Sequence, residues 1–199
     1  MKRKALRIPE VLTASEQEAL LAQPNPRYPT GARNKTMLQL MLDTGLRLAE
    51  ACNLKWNDID LNTGKLMVRQ GKGSKDRSLW IGVEDLEALR TWRERQATDV
   101  TDNPAHIFTT LAGKPVSRRY VQKMVARLAA KAGIKKNVHP HTLRHSFATD
   151  LYRETSKIRL VQKALGHSDL STTMIYTHIF DEELEDALKS FRQPATAIA

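Results

Sequence analysis

HPHTLRH, at residues 139–145, places three histidines, a proline and an arginine within seven positions. Apolar residues then recur at helical spacing, so the segment 141–154 (HTLRHSFATDLYRE) is predicted to form a helix. His141, Arg144 and His145 lie three and four residues apart, a spacing that puts them on one side of that helix. The segment therefore predicts a helix that presents a permanent cation beside several hydrogen-bond donors.

Other polar motifs lie on either side of this segment. They are TGLRLAE at 44–50, GKGSKDR at 71–77, LGH at 165–167 and Tyr176, nine residues after His167. Taken alone, each motif is more typical of a surface arginine, a hairpin lysine or a helix-capping histidine than of a reactive site.

Taken together, the motifs supply cations and donors that suit a phosphodiester whose negative charge rises during nucleophilic attack. A phenol has a pKa of about 10, and nearby cations favour its ionised form, so Tyr176 is the candidate nucleophile. The cations and donors of this set are Arg47, Lys72, His141, Arg144 and His167.

A metal site is the main alternative for the histidines. His141 and His145 have the four-residue spacing of a zinc-binding helix, but Thr142 stands where such a helix carries its catalytic glutamate. Arg144 would place a permanent positive charge inside the site, which opposes a divalent ion. A nucleotide-binding G-x-x-x-x-G-K-[ST] motif is absent from the sequence. The sequence therefore predicts neither a metal nor a nucleotide cofactor.

In their order and spacing, T-G-L-R-L-x-E, G-K-G-x-K-x-R, H-x-L-R-H, L-G-H and Y-T-H resemble the tyrosine recombinases, the phage integrase family. The resemblance covers roughly residues 13–190, the extent of that family's catalytic domain. It implies an enzyme that cleaves and rejoins DNA at specific sites, for integration, excision, inversion or chromosome resolution. It also implies the family's mainly helical fold.

The resemblance implies roles for the phosphate-binding positions. Arg47 and Arg144 would bind the scissile phosphate, and His167 would hydrogen-bond one of its oxygens. Lys72 would protonate the departing 5′-oxygen. Most family members also carry an N-terminal helical DNA-clamping domain, whereas only a basic arm precedes the matched region here.

The same resemblance implies roles around the nucleophile. Tyr176 would attack and form a 3′-phosphotyrosyl link, and His141 would assist proton transfer with it. Glu50, one turn after Arg47, would support the site. No cofactor would be needed, because the covalent link stores the energy of the broken bond.

The charge balance fits a nucleic-acid partner. The chain has 32 Lys and Arg residues against 22 Asp and Glu, a net charge of +10. Further contacts with double-stranded DNA are predicted beyond the site, and such contacts weaken steeply with salt. The residues predicted to make them are Lys75, Arg77, Arg118 and Arg119.

The chain is predicted to be α+β and mainly helical, with a small three-stranded antiparallel sheet. The strands would be the runs NDIDL, KLMVRQ and RSLWI between residues 57 and 81. A basic arm (1–12), the catalytic domain (13–192) and a flexible tail (193–199) complete the organisation. Without a signal peptide or membrane span, and with Cys52 expected to be buried, the sequence predicts a cytoplasmic protein that joins the nucleoid on DNA.

The resemblance also implies a homo-tetramer on DNA, with the C-terminal helix docked on a neighbouring protomer. Three other functions stay open. A non-catalytic DNA-binding regulator of the same fold would not need the whole motif set, and a topoisomerase-like enzyme would share the chemistry without strand exchange. A basic RNA-binding module rests on charge alone.

Overall fold

The computed structural model describes residues 9–69, 76–100, 104–177 and 189. Lys72, Lys75, the predicted tail and nearly all of the predicted C-terminal helix lie outside the described residues. The described part is mainly helical, as predicted. Its helices are α1 (Ala14–Leu21), α2 (Pro29–Thr44), α3 (Leu48–Asn53), α4 (Val83–Asp99), α5 (Arg118–Lys131), α6 (Pro140–Thr155) and α7 (Ile158–Leu165).

Local signals in the sequence start these helices. The Thr13 side chain caps α1 and Glu16 completes the capping box, while Ser117 caps α5 through the Tyr120 amide. Helix α2 begins at Pro29. A proline is tolerated in the first turn of a helix because it lacks only an N–H that would have no partner there.

The sheet is smaller than predicted. Strands β1 (Lys65–Val68) and β2 (Arg77–Trp80) pair antiparallel, with Val68 opposite Arg77. The predicted third strand is wrong: in this part of the described chain it is reduced to one bridge between Ile59 and Leu66. Residues Trp56–Asp58 form a 3-10 turn, and the Asp58 carboxylate accepts a hydrogen bond from the Lys55 amide. That turn includes Asn57 and Asp58, the first two residues of the predicted strand, so these residues do not run extended.

Helix α2 lies at the centre of the core, packed against α4 and α6. Met37, Leu89, Phe108 and Leu143 are fully buried there. Cys52 is buried as predicted, and burial raises the pKa of its thiol to about 11. In the described part of the chain, no helix is both long and apolar enough to cross a membrane.

A second, smaller cluster joins α6 and α7 to the turn Met174–Thr177. Its fully or nearly fully buried members are Ala148, Tyr152, Val161, Leu165 and Tyr176. The aromatic ring of Tyr176 is therefore part of the packing between these two helices.

The buried carboxyl group of Asp85, which lies beside Asp43, gives this fold a pH dependence. Asp85, in the first turn of α4, is 5% exposed, and burial followed by the charge of Asp43 raises its pKa to about 7. The ordinary value is 3.8, so the folded chain disfavours the ionised form. The free energy of unfolding should therefore fall as the pH rises from about 4 to about 7, and the loss persists above that range.

Asp85→Asn is expected to stabilise the chain at pH 8 by about 2 kcal/mol. The pKa shift sets an upper bound on this stabilisation, at about 1.4 kcal/mol per pKa unit. We expect roughly half of that bound, because the N-terminus of α4 favours the negative charge that is removed. Urea unfolding across the pH range measures the difference, which should shrink towards zero near pH ~4. A gain that does not change with pH would contradict the assignment to this carboxyl group.

Candidate active site

A glycine turn sets the position of Arg47. Helix α2 ends at Gly45, which has a φ of +60°. A Cβ at this position would lie 2.2 Å from Cδ1 of Phe147, so both conformation and space require glycine. The turn directs the Gly45 carbonyl at Nη1 of Arg144, 2.6 Å away, and places Arg47 at the start of α3.

Glu50 joins two arginines. Its carboxylate accepts from Nη1 and Nη2 of Arg77 at 2.9 and 2.8 Å, and from the amide and Nη1 of Arg47 at 2.7 and 3.0 Å. Burial acts to raise the pKa of Glu50, but the hydrogen bonds and charges of Arg77 and Arg47 outweigh it and lower the pKa overall. Glu50 thus stays ionised and braces both guanidinium groups, which fits its predicted supporting position.

Arg77 was predicted to contact DNA, but its side chain is largely buried. Only 7% of its side chain is exposed, and its guanidinium is bidentate with Glu50. Arg77 is therefore an internal brace in this structure, and its predicted contact with DNA stays a prediction. The sequence could not show this, because Glu50 and Arg77 are 27 residues apart.

The C-terminal end of α7 collects three guanidinium groups. Arg77 Nε donates to the Ala164 carbonyl at 2.9 Å, and Arg144 Nη2 donates to the Leu165 carbonyl at 2.7 Å. Arg47 Nη2 lies 3.5 Å from the Gly166 carbonyl. The last carbonyls of a helix lack partners within it and carry the negative end of its dipole, so they stabilise cations here.

His167 lies directly beside Arg144. Its Nε2 is 3.2 Å from Arg144 Nη2, and its Nδ1 is 3.0 Å from Oγ1 of Thr173. Because a guanidinium only donates, we infer that Nε2 is the unprotonated nitrogen. Burial, then the charges of Arg144 and Arg47, lower the pKa of His167 to about 4. Burial also lowers the pKa of Arg144, to about 10, which leaves it a cation at neutral pH.

Tyr176 is held away from solvent. It is 3% exposed, and burial raises the pKa of its phenol to about 12, although the charge of Arg144 acts in the opposite direction. Its Oη lies 2.7 Å from Nδ1 of His145. The phenol is therefore neutral in this arrangement.

The histidine in contact with Tyr176 is His145, whereas His141 was predicted to share its proton. His141 is exposed at the start of α6, and desolvation followed by His139, Arg144 and Arg47 lowers its pKa. No role in the reaction was predicted for His145, which had been weighed only as a zinc ligand. The signal in the sequence that could have pointed to a role for His145 is its place directly after Arg144. Among the described residues, no group of three or more His, Cys, Asp or Glu side chains could hold a metal ion.

Residues 10–183 match the model of the phage integrase family. The chain belongs to this family. Its membership accounts for the order of the motifs and for the convergence of Arg47, Arg144 and His167 at one end of α7.

Named relatives and solved structures agree with this membership. Tyrosine recombinase XerC of Xanthomonas axonopodis pv. citri is 42% identical over 173 residues, covering 87% of this chain and 55% of that protein. Tyrosine recombinase XerD of Halalkalibacterium halodurans is 40% identical over 191 residues, covering 95% of this chain and 64% of that protein. The chain thus spans between about half and two thirds of these relatives' lengths.

Among solved structures, XerA recombinase superposes with a TM-score of 0.80 at 32% identity, covering 95% of this chain and 67% of that one. XerH site-specific recombinase, bound to palindromic difH substrate in a post-cleavage complex, superposes with a TM-score of 0.79 at 32% identity. That match covers 94% of this chain and 54% of XerH. The fold of the integrase-family catalytic domain is therefore confirmed.

A cleft of about 1400 Å³ opens beside the α7 terminus of this integrase-family chain. Arg47, Glu50, Arg77 and His167 line it, together with Arg69 from the end of β1. Tyr176 is not among the lining residues. Arg118 and Arg119 are exposed at the start of α5, on a helix that packs against α3.

Proposed function

We propose that this chain carries out site-specific recombination, cleaving and rejoining double-stranded DNA through a 3′-phosphotyrosyl intermediate. The observation that carries the proposal is the convergence of Arg47, Arg144 and His167 on one helix end, followed along the chain by Tyr176 in the 3-10 turn Met174–Thr177. Relatives named tyrosine recombinases, and XerH bound to its difH substrate, support the same activity. Residues 13–192 would form the catalytic domain.

The arginines are suited to bind the scissile phosphate. Arg144 is buried and fixed by two backbone carbonyls, while 37% of the Arg47 side chain is exposed at the cleft. Donors that are already fixed before reaction need little reorganisation as charge develops on the phosphate. Glu50 and the α7 carbonyls supply that fixation. The phosphate would thus meet one buried and one accessible guanidinium, with His167 beside them.

The reaction exchanges one phosphate ester for another. The Tyr176 oxygen would form a bond to phosphorus as the bond to the 5′-oxygen breaks, and the phenol proton would pass to His141 before or during attack. The leaving 5′-oxygen would take a proton from Lys72, which lies outside the described residues. Reversal with a 5′-hydroxyl from the same or another strand would release Tyr176 and restore the DNA.

DNA binding and assembly are proposed from two further features. Arg118 and Arg119 are exposed on α5, and Lys123 and Arg127 on the same helix are exposed as well, which supplies a basic surface for phosphate contacts. A homo-tetramer on DNA through the C-terminal helix remains a proposal from the family resemblance. On this reading the chain would act at the nucleoid.

A library of nicked DNA duplexes with randomised sequence tests the proposal without a known target. Cleavage beside the nick would release a short strand, so rejoining fails and the covalent adduct accumulates. The reaction would contain EDTA. Adducts would be isolated in SDS, digested with nuclease and trypsin, and mapped by mass spectrometry. We expect the nucleotide on the peptide covering 164–189, in which Tyr176 is the one tyrosine.

Each outcome separates the proposal from its rivals. Sequences enriched by binding, but never recovered as adducts, would favour a non-catalytic regulator. An adduct on a different residue would contradict the assignment of Tyr176. A topoisomerase-like activity would yield the same adduct, and would be recognised when two differently labelled duplexes carrying the enriched sequence are never joined to each other.

A further inference from the structure

The hydroxyl of Tyr176 forms a hydrogen bond with a residue that is not one of the proposed phosphate-binding cations. Its Oη lies 2.7 Å from Nδ1 of His145, and the two rings lie 5.8 Å apart at 49°. His145 belongs to α6 and directly follows Arg144. Because Tyr176 is 3% exposed and its Oη faces His145, its hydroxyl is not presented to a phosphate in this arrangement.

The contact joins two neutral groups. Burial, followed by the charges of His141, Arg144 and His139, lowers the pKa of His145 to about 4. The pKa of Tyr176 is raised to about 12. Proton transfer from this phenol to this imidazole is therefore strongly unfavourable, so His145 does not act as the base in the arrangement observed. The contact is a hydrogen bond that holds the phenol in its unreactive form.

We propose that His145 is a positioning residue that holds Tyr176 buried through this hydrogen bond, and that the bond must break before the tyrosine can attack. Only the second part, that the bond must break before attack, rests on the proposed function. That the bond keeps Tyr176 buried is a property of the free chain.

A second contact links this position to phosphate binding. Tyr176 donates its amide hydrogen to the Thr173 carbonyl at 3.1 Å, and the Thr173 hydroxyl is 3.0 Å from His167. His167 in turn contacts Arg144. A phosphate that engages Arg144 and His167 would change the contacts of the turn that carries Tyr176. DNA contact and release of the tyrosine from His145 would thereby be linked.

Nitration by tetranitromethane in the absence of DNA tests the proposal, with each tyrosine followed by peptide mass spectrometry. Tyr28 is 65% exposed and serves as the accessible reference, and Tyr152, 4% exposed in the same cluster as Tyr176, reports any general loosening. In the wild-type chain we expect nitration of Tyr28, with Tyr152 and Tyr176 protected.

His145→Phe keeps an aromatic ring but removes the hydrogen bond. We expect nitration of Tyr176 to rise about fivefold or more, the population shift that one net hydrogen bond supports, with Tyr152 unchanged. His145→Asn, whose amide can replace Nδ1, should restore protection. His106→Phe, a histidine on the bridge to Lys55, is the matched control and should leave Tyr176 protected.

An unchanged rate at Tyr176 in His145→Phe would overturn the proposal. If Tyr152 becomes reactive as well, His145→Ala decides the question. An equal rise in the nitration of Tyr152 and Tyr176 in His145→Ala would mean that His145 acts through core packing, and would also overturn the proposal. This readout is independent of cleavage, so a chain that never forms adducts would refute the proposed function while the nitration result still stood.

Discussion

Replacing Tyr176 with phenylalanine is expected to lower covalent adduct formation on the nicked library by more than about 10⁴-fold, the scale on which removal of a nucleophile acts in enzymes with covalent intermediates. The substitution removes one oxygen atom and keeps the ring that packs between α6 and α7. Within the residues that the structure describes, no hydrogen bond joins that oxygen to Arg47 or Arg144. DNA binding should therefore not weaken, and loss of the bond to His145 should strengthen it by no more than about fivefold.

Tyr152→Phe provides the matched control. It removes a hydroxyl from another tyrosine of the same cluster, and it should leave adduct formation within a few-fold of wild type. Tyr176→Phe also loses its bond to His145, which should lower the free energy of unfolding by about 1 kcal/mol. Adducts that persist in Tyr176→Phe would mean that another side chain attacks the DNA.

Replacing Glu50 with glutamine is expected to lower the free energy of unfolding by about 3 kcal/mol, because it leaves the charge of Arg77 in a buried position without a carboxylate. The Arg77 and Glu50 side chains are only 7% and 9% exposed. Arg47 would also lose the charge that orients it, so adduct formation should fall as well. Urea unfolding measures the first effect, and the trapped adduct measures the second.

Two variants test this assignment. Glu87→Gln removes an exposed ion pair with Arg90, whose side chains are 67% and 43% exposed, and should cost less than about 0.5 kcal/mol. The double variant Glu50→Gln with Arg77→Met removes both buried charges and should recover most of the lost stability, although not the adduct yield. If Glu50→Gln costs no more than Glu87→Gln, the buried brace is not important for the fold.

The architecture of the site explains why these two effects differ in kind. Glu50 acts through Arg47 and Arg77, and the α7 carbonyls act through three guanidinium groups, so these parts hold the site before any DNA arrives. In the proposed reaction Tyr176 would act directly on phosphorus, and its side chain is buried. The loss of stability should therefore be larger in Glu50→Gln, and the loss of adduct larger in Tyr176→Phe.

Local signals along the chain were enough to predict most of the helices and to identify the family. Helix starts at Thr13 and Ser117, and helix ends at Gly45 and Gly166, depend on groups only a few residues apart along the chain. The motif order identified the family without any knowledge of distances. The prediction of a third strand was wrong because Trp56–Asp58 form a local turn. The alternation of apolar and polar residues that suggested the strand does not reveal such a turn.

Which polar side chains are in contact depends on the tertiary structure and could not be predicted from the sequence. Arg77 and Glu50 are 27 residues apart and His145 and Tyr176 are 31 apart, and no local period relates such positions. Packing of α7 against α6 buried Tyr176 beside His145 and left His141 exposed, while the side of β2 that faces the α7 terminus took Arg77 out of solvent. Burial and partner choice follow from how the elements pack together, so a pattern of residue types can name the reactive groups but cannot say which of them are in contact.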